Sequence, residues 1–147
     1  MRPLRRFLAL SPNERCLLIT AVILLAGMRL GLRLLPFGTL WQLVGNGGPI
    51  LVGLFEGNHL ADRISWAVTV AGRYVLGVRP CLVQALTVRL LLRWHGCPAR
   101  LHFGVARGEG GQIRAHAWVE ANGRVVIGGS ASELERYIPL LAADATA

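Results

Sequence analysis

The hydrophobic period of this chain changes once, at Gly96-Cys97-Pro98, and that change limits the folds open to it. Before the break, apolar residues recur every three to four positions; after it, they alternate. From Cys81 to about His95, Leu82, Ala85, Leu86, Val88, Leu90, Leu91 and Leu92 give a helix a wide apolar face. Gly96 is a natural helix stop, with Pro98 just beyond it. In Arg100–Ala106, Leu101, Phe103 and Val105 alternate with His102, Gly104 and Ala106. Gly108 to Gly111 reads as a turn. In Ile113–Ala121, Ala115, Ala117 and Val119 share one face, while Arg114, His116, Trp118 and Glu120 share the other. Asn122-Gly123 is a strong hairpin signal, and Arg124–Gly128 is expected to pair back as a third strand. Ser130 to Leu141 is expected to close with a short helix and a tail. Helices followed by an antiparallel meander make an α+β layout.

The segments before Cys81 read as helices. Ser11, Pro12 and Glu14 form an N-cap, a first-turn proline and a capping box. The helix they open can run to Leu35, before Pro36. Its uncharged stretch, Cys16 to Met28, is 13 residues, against the roughly 20 that a membrane span needs. It therefore reads first as a buried or partner-facing helix. Attachment to a membrane surface, or a span or signal, are the alternatives. Cys16, inside this apolar run, reads as core. Phe37–Val44 is a second short helix. Gly45 to Pro49 is a break, and residues 50–58 are ambiguous. From His59 to Val75, Ile64, Ala67, Val68 and Ala71 recur at helical spacing, with Arg63 and Arg73 pointing elsewhere.

Composition narrows the function classes. Of 147 residues, 53% are apolar and 16% charged, which excludes a mainly disordered chain. All 16 basic residues are Arg and the net charge is +8. Such a balance suits nucleic acid, an anionic membrane or an acidic peptide. Only Arg2, Arg5 and Arg6 cluster, however, so no dedicated nucleic-acid surface is expected. The three cysteines, Cys16, Cys81 and Cys97, form no C-x-x-C pair and fit a reducing compartment. Without Lys there is no phosphate-binding loop of the G-x-x-x-x-G-K-[ST] type. No metal or other cofactor is expected.

Two residues stand out for chemistry. Cys81 follows Pro80 at a helix start, where unpaired N–H groups and the helix dipole stabilise a thiolate. The other reading of Cys81 is a small buried hydrophobe, and the local sequence leaves both open. A nucleophilic Cys needs a base, and His116, flanked by alanines on a strand, gains weight jointly with it. His95 suits a helix C-terminus, His102 reads as solvated, and His59 falls in the ambiguous region. Cys97 sits in a Gly-Cys-Pro turn with no helix dipole to favour it.

The run from Arg79-Pro80-Cys81-Leu82 through Leu101-His102-Phe103-Gly104-Val105 to Ala115-His116-Ala117-Trp118-Val119-Glu120, with Asn122-Gly123, resembles the transglutaminase-like leader peptidases of lasso-peptide biosynthesis. The closer likeness is to the stand-alone peptidase of split systems. Ser11–Phe37 resembles that family's helical extension. The resemblance implies a papain/transglutaminase-like core in which the Cys-bearing helix packs on a small antiparallel sheet. It divides the chain into an N-terminal extension, residues 1–58, and a core, residues 59–147. It implies Cys81 as nucleophile, His116 as base, and cleavage of the leader from a ribosomally made precursor peptide. The implied partners are that precursor, a separate leader-binding protein and a macrolactam-forming cyclase, with no nucleic acid. The implied location is the cytoplasm, with contact at the inner membrane face as a variant. A non-catalytic protein binding an acidic leader or membrane surface, and a thiol acyltransferase, are the other readings.

One departure from the family matters. The Asp that orients the His is expected on the strand after the hairpin, which here reads Val125-Val126-Ile127-Gly128-Gly129-Ser130. A two-residue turn sets His116 opposite Gly129, and a three-residue turn sets it opposite Gly128. A backbone carbonyl or water then orients His116, or Glu120 does so through a strand bulge. With His116 oriented by backbone or water alone, an Asp introduced at Gly128 is expected to be tolerated or mildly activating, provided its side chain points toward the His116 edge.

Overall fold

The computed structural model describes residues 5, 7–46, 59–75 and 81–143, with side chains to residue 140. The Gly47–Pro49 part of the expected break, residues 50–58, the Gly77–Pro80 interruption, and Arg2 and Arg6 lie outside the described residues.

Helix α1, Pro12–Leu34, starts as its sequence dictates. The Glu14 backbone N–H donates to Ser11 Oγ at 3.3 Å, and the Ser11 N–H donates to Glu14 Oε2 at 2.9 Å. Leu17, Leu18, Ala21, Leu25 and Met28 form its buried stripe. The opposite face is apolar too, with Ile19, Ile23, Leu30 and Leu34 all exposed. By length and composition α1 could cross a membrane, although its buried stripe packs on other helices. Cys16, expected in the core, is exposed because it shares the outward face with Ile19 and Ile23 at i, i+3 and i+7 spacing. Helix α2, Phe37–Gly45, folds back on α1. A Cβ at Gly31 would stand 2.9 Å from Leu40 Cδ1, so glycine there allows the close approach.

Helix α3, Leu60–Val75, buries the predicted Ile64, Ala67, Val68 and Ala71. Arg63 pairs instead with Glu14 of α1, 3.3 Å away. Helix α4, Cys81–Trp94, is the spine of the molecule. It touches α1 and α3 as well as the sheet, and for that reason every residue from Ala85 to Leu92 is buried. It ends in a Schellman motif: Cys97 N–H donates to the Leu92 carbonyl at 2.9 Å and Gly96 N–H to Arg93 at 2.9 Å. Gly96 has φ +74°, as that cap requires.

Strands β1 (Ala99–Arg107), β2 (Ile113–Ala121), β3 (Arg124–Ile127) and β4 (Ile138–Ala143) form one antiparallel sheet in the order β3-β2-β1-β4. Asn122 and Gly123 both have positive φ, 53° and 76°, giving the expected two-residue turn that pairs Ala121 with Arg124. The fourth strand corrects the expected tail. After the short helix α5, Ala131–Leu134, the chain returns along β1 as an edge strand. Pro139 and the lack of alternation hid it from the sequence, and an edge position tolerates such a proline. The architecture is α+β, with buried side chains from Leu17 to Ala121 in one hydrophobic cluster.

Because α4 joins the helical layer to the sheet, a cavity in it affects both. Leu86 is completely buried, so Leu86→Ala is expected to cost about 2–5 kcal/mol in chemical denaturation. A loss under about 1 kcal/mol would show that α4 is not the shared core.

Candidate active site

Cys81 is the first residue of α4 and is half-buried. Its thiol therefore stands at the helix end whose N–H groups have no partner within the helix. His116 is half-buried on β2. Both line one cleft of about 810 Å³, bounded by α3, α4, the start of β2, the end of β3 and α5. The fold thus brings together the two residues that the sequence singled out. Ala115, expected on the apolar face, is exposed because it borders this cleft.

The orientation of His116 comes from backbone. Its Nε2–H donates to the Gly128 carbonyl. A carbonyl oxygen can only accept, so the proton of the neutral ring sits on Nε2 and the lone pair on Nδ1. The lone pair on Nδ1 is the kind of acceptor a base needs. Such a neutral bond contributes roughly 0.5–1.5 kcal/mol, against roughly 1.5–3 for a bond to a charged group. The carbonyl therefore fixes the ring but stabilises an imidazolium less than a carboxylate does.

A bulge delivers that carbonyl. Ala121 pairs with Arg124 and Glu120 with Val125, but Val119 pairs with Ile127, leaving Val126 extra. The freed Val126 carbonyl accepts from Ser65 Oγ of α3. One turn earlier on α3, Asp62 Oδ1 meets Arg124 Nη2 at 2.8 Å. That hydrogen bond first, with the guanidinium charge behind it, holds the Asp62 carboxyl below its ordinary range. The two-residue register holds at Ala121–Arg124, but after the shift the ladder ends at Ile127, and among the described residues it pairs His116 with neither Gly129 nor Gly128. Gly128 lies against Trp118, and a Cβ there would stand 2.4 Å from Trp118 Cβ and 2.7 Å from its Cα. An Asp at Gly128, expected to be tolerated, has no room and would also need φ +109°.

Aromatic rings hold the other side of the imidazole. Tyr137 lies 5.1 Å from His116 and Trp118 6.3 Å, centroid to centroid. Gly104 is directly across from His116 in register. A Cβ at Gly104 would come within 2.9 Å of both Trp118 and Tyr137, so glycine there lets the rings close. Glu133 also lines the cleft. The Ser130 backbone N–H, then its hydroxyl, pull the Glu133 carboxyl below its ordinary value, with smaller help from Arg136 and His116.

The remaining candidates fall elsewhere. Glu120, the alternative acid, has its Oε2 at 3.2 Å from His102 Nε2 and does not serve His116. His102, read as solvated, has a side chain only 17% exposed. It stacks on Trp118 at 5.5 Å and 8°, which also buries Trp118 on the face expected to be polar. His95 Nδ1 bonds the Leu91 carbonyl at 2.8 Å at the end of α4, and exposed His59 stands near Asp62. Cys97 is half-buried, and burial pushes its thiol up. Sequence reasoning missed Tyr137, which lay in an expected tail. It also left the orienting carbonyl unassigned, although the Gly128-Gly129 pair closing a β-branched run was a readable bulge signal. Among the described residues, no three His, Cys, Asp or Glu side chains gather where they could hold a metal ion.

Helices covering a small antiparallel sheet, with a helix-start Cys and a strand His on one cleft, define a papain-like thiol architecture. The family model described as the transglutaminase-like superfamily matches residues 55–142, more than half of the chain. The chain belongs to that superfamily, whose chemistry includes cysteine-dependent proteolysis and acyl transfer. No curated protein matches, and no solved structure does.

Gly128 is the position where backbone geometry and orientation of His116 meet. Gly128→Ala is expected to lose on the order of 2–4 kcal/mol through clash and backbone strain. A variant melting with the wild type would contradict the placement of this carbonyl.

Proposed function

We propose that this chain is a cysteine endopeptidase that removes the leader from a ribosomally made lasso-peptide precursor. The observation that carries the mechanism is the His116 Nε2–H bond to the Gly128 carbonyl, on the same cleft as Cys81. It leaves Nδ1 to take the thiol proton. The Cys81 sulfur then attacks the scissile carbonyl carbon, and the carbonyl π pair moves onto oxygen. The Cys81 N–H at the start of α4 is positioned to donate to that oxyanion. Collapse breaks the C–N bond while His116 protonates the leaving amine. Water, deprotonated by His116, cleaves the thioester, releasing the leader as an acid and restoring the thiol. Were an amine to replace water, the same intermediate would give acyl transfer. The assignment to a leader peptidase rests on the likeness of the Pro80-Cys81-Leu82 and His116-Ala117-Trp118-Val119-Glu120 runs to that family.

The partners follow from the same reading. A separate leader-binding protein docks on the exposed apolar face of α1, where Ile19, Ile23, Leu30 and Leu34 have no described cover. A macrolactam-forming cyclase then takes the freed amine. The work takes place in the cytoplasm, at or near the inner membrane face.

Cys81→Ala and His116→Ala are each expected to reduce cleavage of the precursor by about 10³-fold or more, with circular dichroism unchanged. Cleavage surviving in Cys81→Ala would end the peptidase reading. The leader-binding protein is expected to raise kcat/KM on full-length precursor by at least about tenfold. Full activity of the purified chain alone would remove that partner from the account.

A further inference from the structure

The third turn of α4 holds a cation that nothing in the described structure neutralises. Arg89 is 3% exposed. Its Nε and Nη1 have no hydrogen-bond partner, and no carboxylate pairs with it among the described residues. An Arg keeps its proton in proteins, so the charge cannot be shed. The guanidinium lies over the Trp41 ring, 4.0 Å from its centroid. A cation–π contact offsets only part of the cost of burying an ion. The helix end offers little more, because the Leu92 and Arg93 carbonyls are already engaged by Cys97 and Gly96 in the Schellman motif.

The charge faces a cavity. Arg89 and Arg93, one helical turn apart, line a pocket of about 210 Å³ closed by Gly96, Cys97, Pro98 and Ala99. The pocket shares no lining residue with the Cys81–His116 cleft and lies at the opposite end of α4. Burial raises the Cys97 thiol and so keeps it neutral, adding no competing negative charge. A buried guanidinium with two N–H groups left without acceptors, lining a pocket with a second guanidinium on its rim, has the donor geometry that carboxylates and phosphates fit.

We infer that this pocket is an oxyanion site, taking one carboxylate or phosphate group on Arg89. The group comes either from an acidic residue of a peptide partner or from free phosphate. Both present the same chemistry to the arginines.

The test is thermal denaturation of the full chain at constant ionic strength, with sodium chloride replaced stepwise by sodium phosphate. Wild-type Tm is expected to rise saturably by a few degrees, as for any ligand that binds only the folded state. Phosphate also stabilises proteins non-specifically, so Arg89→Met is the comparison. That variant is expected to melt in chloride at or above the wild type, since it removes an unpaired buried charge. Its phosphate response is expected to fall about fivefold or more. Equal responses of the two proteins to phosphate, and equal responses to a glutamate-containing tripeptide as well, would overturn the site. Should Arg89→Met fail to fold, the Arg89 Nε–Hε signal of the ¹⁵N-labelled wild type decides, and no saturable movement with phosphate or carboxylate overturns the inference. A second arm titrates a glutamate-containing tripeptide and its glutamine counterpart. A stronger response to the glutamate peptide than to phosphate assigns a peptide carboxylate, the reverse assigns free phosphate, and a response to neither overturns the site.

Discussion

The arrangement of the cleft depends on one hydrogen bond from a side chain to the backbone. His116 donates through Nε2 to the Gly128 carbonyl, and that bond sets which ring nitrogen is left to act as a base. The neutral bond is worth roughly 1 kcal/mol, about a fivefold bias between tautomers. A bias of that size suffices only if the ring is also held by packing. Tyr137 and Trp118 supply the packing, and Gly104 leaves the space for them. Carbonyl and rings together do mechanically what a carboxylate does partly by charge.

The bulge at Val126 is what makes the arrangement possible. A regular ladder would put another residue beside Trp118 and aim the Gly128 carbonyl elsewhere. The bulge is held in place from outside the sheet, by Ser65 on the Val126 carbonyl and by Asp62 on Arg124. Both anchors come from α3, whose other face packs into the core shared with α1 and α4. Helix α1 is thereby linked to the cleft: it packs on α3, and α3 holds the strand that orients His116. Within α4, the first residue carries the thiol, and the third turn carries a buried Arg89 whose Nε and Nη1 have no acceptor among the described residues.

Much of this was legible in the sequence because it depended on local chemistry. The Ser11–Glu14 capping box, the Asn122-Gly123 turn and the buried stripe of α3 each followed from residue types at fixed spacing. Cys81 and His116 stood out for the same reason, and the fold placed them on one cleft. What could not be read depended on long-range geometry. Strand β4 lacks alternation and carries Pro139, so only its pairing with β1 defines it. The stack of His102 on Trp118 is a cross-strand contact that period-two reasoning assigned to solvent. The pairing expected for His116 does not form, because a single extra residue, Val126, shifts the ladder and β3 ends at Ile127.

The central claim, that a backbone carbonyl orients the His116 imidazole, is tested most directly by the tautomer of His116. Long-range ¹H–¹⁵N correlation on ¹⁵N-histidine-labelled protein, at a pH where the ring is neutral, reads it without any substrate. The account predicts a protonated Nε2 and a pyridine-like Nδ1 for His116. A proton on Nδ1 would contradict it, because Nε2 would then have no hydrogen to give Gly128 and Nδ1 no lone pair for the thiol.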